Sequence, residues 1–288
     1  MPLAMPRQLV ESTAASGDDA RRSWLERLPS LVESVRARWS LELDEPFQPG
    51  GVTAWVAPAR QGDERDLVLK VAWRHSEAEH EPDGLRLWDG EGAVRLHDAA
   101  RLDNTVALLL ERCVPGVPLT SLPEPEQDGV IASLLHQLWQ ASPRGEPFRP
   151  LEDLCSAWAD AFERRGPPPG LDPGLAREGI NLFRSLPAST ERRVLLCTDL
   201  HAGNVLSARR APWLVIDPKP YVGDPAFDAI QHLLNCQRLY TDPRGLARHI
   251  ADELEVDADR VLLWLFARSV QGSNSFPELG AIARQVAP

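Results

Sequence analysis

The sequence predicts an α+β protein in two parts, a small β-rich part followed by a larger, mainly helical one. Three observations carry this. Short β-type runs cluster between Leu41 and Cys113. Apolar residues recur at helical spacing through most of the chain beyond residue 118. Between the two patterns stands Val114-Pro115-Gly116-Val117-Pro118, a run that suits neither a helix nor a central strand.

Residues 1–17 mix Pro, Ser, Ala and Gly with little apolar pattern, and are expected to be a flexible N-terminus. Asp18 or Asp19 can cap a helix in which Trp24, Leu25, Leu28, Leu31, Val32, Val35 and Trp39 recur at helical spacing. Leu41–Phe47, Thr53–Ala59 and Leu67–Trp73 read as strands, the first two separated by a tight turn at Gln48-Pro49-Gly50-Gly51. Ser76 to Trp88 reads as a helix, with Pro82 in its first turn or kinking it. Ala93–His97 and Val106–Cys113 return to strand character. Residues 18–113 thus form an N-terminal lobe and residues 114–288 a C-terminal one. In the second, 127–141, 150–165, 172–186, 224–239 and 256–272 read as helices, with strands at Val194–Leu196 and Trp213–Ile216. A gap between two such lobes is a natural place for a ligand.

The bulk properties narrow the function classes. A formal charge of −11 over 288 residues argues against nonspecific nucleic-acid binding. It suits a cationic small-molecule ligand, although acidity also serves solubility. No apolar run approaches the roughly 20 residues of a membrane helix, so no membrane partner is expected. Cys113, Cys155, Cys197 and Cys236 form no C-x-x-C pair, which argues against a zinc site. Free thiols without a secretory signal point to the cytoplasm.

The segment Leu195-Leu196-Cys197-Thr198-Asp199-Leu200-His201-Ala202-Gly203-Asn204 carries the most chemistry. An apolar strand delivers Asp199 into a loop of small residues, and Asn204 follows five positions later. Trp213-Leu214-Val215-Ile216-Asp217 places a further carboxylate at the end of another apolar run. Phosphoryl transfer needs such a set. One carboxylate orients the attacking hydroxyl and accepts its proton, while amide and carboxylate oxygens hold Mg²⁺ against nucleotide phosphates. Any one of these residues alone would be ordinary turn chemistry. Lys70 interrupts the apolar strand Leu67-Val68-Leu69-Lys70-Val71, and on an inner face it requires an anion. A nucleotide phosphate and a helix glutamate both serve; Glu81 is the chosen partner and Glu77 its competitor. Gly50 and Gly51 could let a backbone turn approach phosphates.

At this point the chain resembles the aminoglycoside phosphotransferase superfamily, and within it the streptomycin 6-kinase and hydroxyurea phosphotransferase branch. The likeness rests on Trp24–Leu28 with Leu31-Val32, on Leu85–Gly90 leading to Ala93–Leu96, and on Leu108–Arg112. It extends through Asp199-Leu200-His201 with Asn204-Val205-Leu206, and through Pro212–Pro220 into Val222–Pro225. The resemblance implies a two-lobed protein-kinase-like fold with ATP and Mg²⁺ as cofactors. Asp199 would be the catalytic base, and Asn204 and Asp217 the metal ligands. Lys70, paired with Glu81, would hold the ATP phosphates, with Lys219 reaching toward them. Glu111, Arg112 and Cys113 would be the hinge that binds adenine. Asp224 would brace the loop or cap the next helix. Such kinases carry His two residues before the base, where this chain has Cys197. The implied activity is antibiotic O-phosphorylation. A metabolic or biosynthetic small-molecule kinase and a catalytically silent nucleotide-binding protein are the alternatives.

Overall fold

The computed structural model describes residues 3–145 and 147–288. A first helix, α1 (Arg7–Ala15), corrects the expectation of a flexible lead-in. Its Leu9 and Thr13 lie four residues apart, on one helical face, and both are buried. Leu9 packs in one cluster with Trp24 and Trp55. Helix α2 (Asp19–Arg38) starts at Asp18, whose carboxylate accepts from the N–H groups of Ala20 and Arg21.

Next come β1 (Glu42–Leu43), β2 (Ala54–Gln61), β3 (Glu64–Trp73), α3 (Glu81–Trp88), β4 (Leu96–Leu102) and β5 (Thr105–Glu111). The strands form one antiparallel sheet in the order β1-β2-β3-β5-β4. Side-chain alternation gives this sheet two working faces. Leu67, Leu69 and Val71 of β3, with Ala107 and Leu109 of β5, pack on α1 and α2. Val68 of β3, with Val106, Leu108 and Leu110 of β5, joins a second core on the other side. Lys70 is in register with that second set. The strand expected at Ala93–His97 begins three residues later. Ala93 and Val94 instead bridge to the second half, where Val94 N donates to Val215 O at 3.0 Å.

The second half holds α4 (Glu124–Leu138), α5 (Leu151–Arg165), α6 (Pro173–Ser185), β6 (Val194–Leu196), β7 (Val205–Ser207), β8 (Trp213–Val215) and β9 (Tyr221–Gly223). Helices α7 (Pro225–Leu234), α8 (Pro243–Glu253), α9 (Ala258–Gly272) and α10 (Leu279–Val286) complete it. Strand β6 pairs with β9 and β7 with β8, two short ladders that hold the chemistry-bearing loops. Helix α9 packs against α6, α7, α8 and α10. It is accordingly apolar over most of its circumference, with Trp264, Leu265 and Phe266 fully buried. Helices α8 and α10 are not separable as elements from the sequence pattern alone.

The halves are stitched together at one end. Arg210, in the β7–β8 turn, pairs with Glu111 at 2.9 Å and donates to the carbonyls of Gly90 and Ala93 at 2.7 and 3.0 Å. Arg209 pairs with Asp66 at 2.8 Å. Among the described residues, no helix is long and apolar enough to cross a membrane.

Candidate active site

Three carboxylates and two ammonium groups meet where the sheet faces the β6–β9 and β7–β8 ladders. Lys70 Nζ donates to both carboxylate oxygens of Glu81, at 2.6 and 2.8 Å, and to Asp217 Oδ1 at 2.6 Å. Helix α3 begins at Glu81, with Pro82 in its first turn, where no N–H partner is required. Glu77 lies elsewhere, accepting from Trp158 Nε1 at 2.8 Å. Lys219 Nζ donates to Asp199 Oδ2 and lies 3.5 Å from Asp217 Oδ2. Asn204 Nδ2 donates to the carbonyl of Asp199 at 3.0 Å, so the amide oxygen is turned away from that bond.

The electrostatics follow from burial and pairing. Desolvation opposes the ionised form of Asp217, but Lys70 and Lys219 outweigh it and hold the carboxyl at about 2. Burial disfavours charge on Lys70 as well, yet Asp217 and Glu81 raise its pKa above the ordinary value. Glu81 moves upward, because desolvation exceeds the help from Lys70. Three carboxylates against two ammonium groups leave an excess negative charge, and the oxygens of Asn204 and Asp217 suit a hard cation such as Mg²⁺.

Backbone geometry aims these groups. Thr198 and Asp217 adopt positive φ, 52° and 53°. Non-glycine residues seldom do so, at a cost of about 1–2 kcal/mol each. Thr198 is held there by its hydroxyl, which donates to Lys219 O at 2.6 Å, and by its N–H, which donates to Asp228 Oδ1 at 2.8 Å.

Cys197 explains how the loop manages without histidine. Its N–H donates to Asp228 Oδ2 at 3.0 Å, and its carbonyl accepts from the N–H groups of Asp199 and Lys219 at 2.8 and 2.9 Å. The loop is therefore held through main-chain atoms. The thiol is fully buried, and burial pushes its pKa well above the usual range, which makes it inert packing rather than a nucleophile.

Gly50 and Gly51 are not brought to this cluster. Their turn is fastened to the N-terminal segment: Gln8 N donates to Pro49 O at 2.9 Å, and Ser12 Oγ to Val52 O at 2.7 Å. Gly50 has φ +82°, and a Cβ there would stand 2.4 Å from Pro6 Cβ. The glycine is needed for packing against the segment that leads into α1. Glu111 is the last residue of β5, and Arg112 and Cys113 follow it directly. Glu111 accepts from Arg95 N at 3.0 Å as well as from Arg210, and Arg112 N donates to Asp66 O at 2.8 Å. Burial pushes the Cys113 thiol up to about 12. Asp224 caps α7 through Ala226 N and also accepts from Arg260 Nε and Trp264 Nε1, at 2.5 and 2.6 Å.

Asp228 is the residue that sequence reading missed. The signal was a lone acid inside the otherwise apolar Pro225–Leu234 helix. It accepts from Cys197 N, Thr198 N and Trp139 Nε1. Burial still raises its pKa to about 6, above the effect of those donors. A raised carboxyl contributes most stability below its unfolded pKa and loses that contribution as pH rises through the folded value. Asp228→Asn lacks this titration. In urea unfolding, the parent's stability relative to the variant should therefore fall by up to about 3 kcal/mol between pH 4 and pH 7.

Beside Asp199 opens a cavity of about 210 Å³, lined by Thr198, Asp199 and Lys219 together with Glu77, Trp158 and Arg268. None of the acidic residues between Asp252 and Asp259 lines it. Asp257 instead caps α9, accepting from Arg260 N at 3.0 Å.

A lysine of the five-stranded sheet paired with a helix glutamate, set against two loop-borne carboxylates, defines a phosphotransferase of the two-lobed, protein-kinase-like class. Residues 38–280 match the family described as aminoglycoside/hydroxyurea antibiotic resistance kinase, and the chain belongs to that family. It is 32% identical to the streptomycin 6-kinase of Streptomyces griseus, covering 93% of this chain and 89% of that one. It is 34% identical to the hydroxyurea phosphotransferase of Kitasatospora aureofaciens, over 97% of this chain and 82% of the relative. Among solved structures, a thermostable aminoglycoside phosphotransferase APH(4)-Ia in ternary complex with ADP and hygromycin B superimposes with a TM-score of 0.61. It shares 16% identity over 88% of this chain and 96% of its own, a likeness of fold.

Proposed function

We propose that the protein transfers the γ-phosphoryl group of ATP to a hydroxyl of a small antibiotic-like acceptor, of the streptomycin or hydroxyurea kind. The observation that carries this reading is the position of Asp199, which lines the cavity and also touches the lysine–carboxylate cluster. In the proposed step the acceptor oxygen bonds to the γ-phosphorus as the bond from that phosphorus to the ADP oxygen breaks. The hydroxyl proton passes to Asp199. Lys70, steadied by Glu81, and Lys219 would face the phosphate oxygens. The backbone of Glu111, Arg112 and Cys113 would take the adenine edge. Asn204 and Asp217 would hold Mg²⁺, which when bound neutralises phosphate charge. An intact set of Lys70, Asp199, Asn204 and Asp217 favours an active enzyme over a silent nucleotide-binding protein. ATP as donor suits a cytoplasmic setting, as do four buried free cysteines.

The test is acceptor-dependent ADP release by purified protein with MgATP and either streptomycin or hydroxyurea. Release above the acceptor-free rate is expected with at least one. No stimulation by either removes this acceptor class.

A further inference from the structure

Helix α9 delivers Arg268 to the cavity that Asp199 also lines. The guanidinium carbon lies 4.4 Å from the centre of the Trp158 ring. That ring is clamped in turn: Phe183 stacks on it at 6.3 Å with an interplanar angle of 4°, and its Nε1 is bound to Glu77 at 2.8 Å. Arg268 is therefore held in a fixed orientation by a rigid platform. One of its terminal nitrogens donates to Gln271 Oε1. Among the described residues, no carboxylate stands within 4.0 Å of it. The contrast with other arginines of this half is plain: Arg210 meets Glu111 at 2.9 Å, Arg238 meets Asp128 at 2.7 Å and Arg260 meets Asp224 at 2.5 Å. Burial of the unpaired Arg268 lowers its pKa to about 10. The guanidinium remains charged at neutral pH even so, and its partly buried fork reaches the cavity without a carboxylate partner.

The remaining charges of the cavity point the same way. Asp199 is bound by Lys219, and Glu77 accepts from Trp158. Each of these bonds engages one carboxylate oxygen. Beyond its bond to Gln271, Arg268 keeps N–H donors with no acceptor among the described residues, and its planar fork fits two oxygens or one carbonyl.

We infer that Arg268 is an acceptor-binding residue, receiving a carbonyl or carboxylate oxygen of the same molecule whose hydroxyl lies at Asp199. The substrate class is then an N-hydroxyamide or a hydroxy acid, rather than an acceptor that sets a guanidinium or amine against Arg268. This refines the phosphotransferase reading and rests on it.

Calorimetric titration in the presence of MgADP tests the contact without requiring turnover. Hydroxyurea and glycolate serve as oxygen-bearing probes and streptomycin as the guanidinium-bearing one. The parent protein should bind at least one oxygen-bearing probe. Arg268→Met should weaken that binding about 10- to 100-fold, the loss of a charge-assisted hydrogen bond. Arg268→Lys should recover part of it. The Met variant keeps an apolar stem on Trp158 and should melt no lower than the parent. Failure of both oxygen-bearing probes to bind, or equal binding by parent and Arg268→Met, overturns the inference. If a probe binds through Arg268 yet none stimulates ADP release, the contact stands and the transfer reading falls.

Discussion

Asp199→Ala should lower kcat by about 10³-fold, in the range that removal of a general base produces. The affinity for MgATP should not fall. Asp199 borders the cavity, and its carboxylate is bound only to Lys219 among the groups of the cluster. Its loss leaves Lys219 free to face phosphate oxygens, so nucleotide binding is preserved or strengthened. The measurement is acceptor-stimulated ADP release, alongside a nucleotide titration of the same variant. Turnover at the parent rate would reject Asp199 as the base.

Lys70→Met should have the largest effect on stability. Glu81 is nearly sealed from solvent, with 3% of its side chain exposed, and Lys70 supplies both of its hydrogen bonds. Removing the cation leaves a buried carboxylate without a partner, which costs about 3–5 kcal/mol. Asp217 loses its closest positive neighbour at the same time. Urea unfolding should show the loss, and KM for ATP should rise. Adding Glu81→Gln to Lys70→Met should return most of the stability, because the uncompensated charge is gone. It should return none of the ATP affinity, because the cation is still missing. A double variant as unstable as the single one would mean that the pair is not the source of the cost.

Much of the site was legible in the sequence because its residues break apolar patterns. Lys70, Asp199 and Asp217 each stand within or at the end of a strand-like run that has no reason to carry charge. Glu81 was separable from Glu77 only by helix phase, which depends on where α3 begins. Gly50–Gly51 shows the opposite problem. The same dipeptide serves a phosphate loop or a packed turn, and only the neighbouring chain, here Pro6 and Gln8, decides between them. Helix α1 was hidden because composition does not show that a single Leu9 will find a buried slot against the sheet. Arg268 was invisible for a related reason. Periodicity says that α9 is buried, but not which of its few polar side chains faces a cavity.

The arginine clip at one end of the sheet has a mechanical consequence. Arg209 and Arg210 anchor Asp66 and Glu111 at one end of β3 and β5, so a rotation that keeps both pairs and releases Glu77 from Trp158 has its fulcrum there. A strand advances about 3.3 Å per residue, which puts Lys70 about 13 Å and Trp73 about 23 Å along the lever from Asp66. A turn of about 10° would then carry Lys70 roughly 2 Å and the strand tip roughly 4 Å. Such a swing is enough to lift the lysine off Asp217 while the Asp66–Glu111 end stays still. A nucleotide lying as proposed would be gripped at its base and gated at its phosphates.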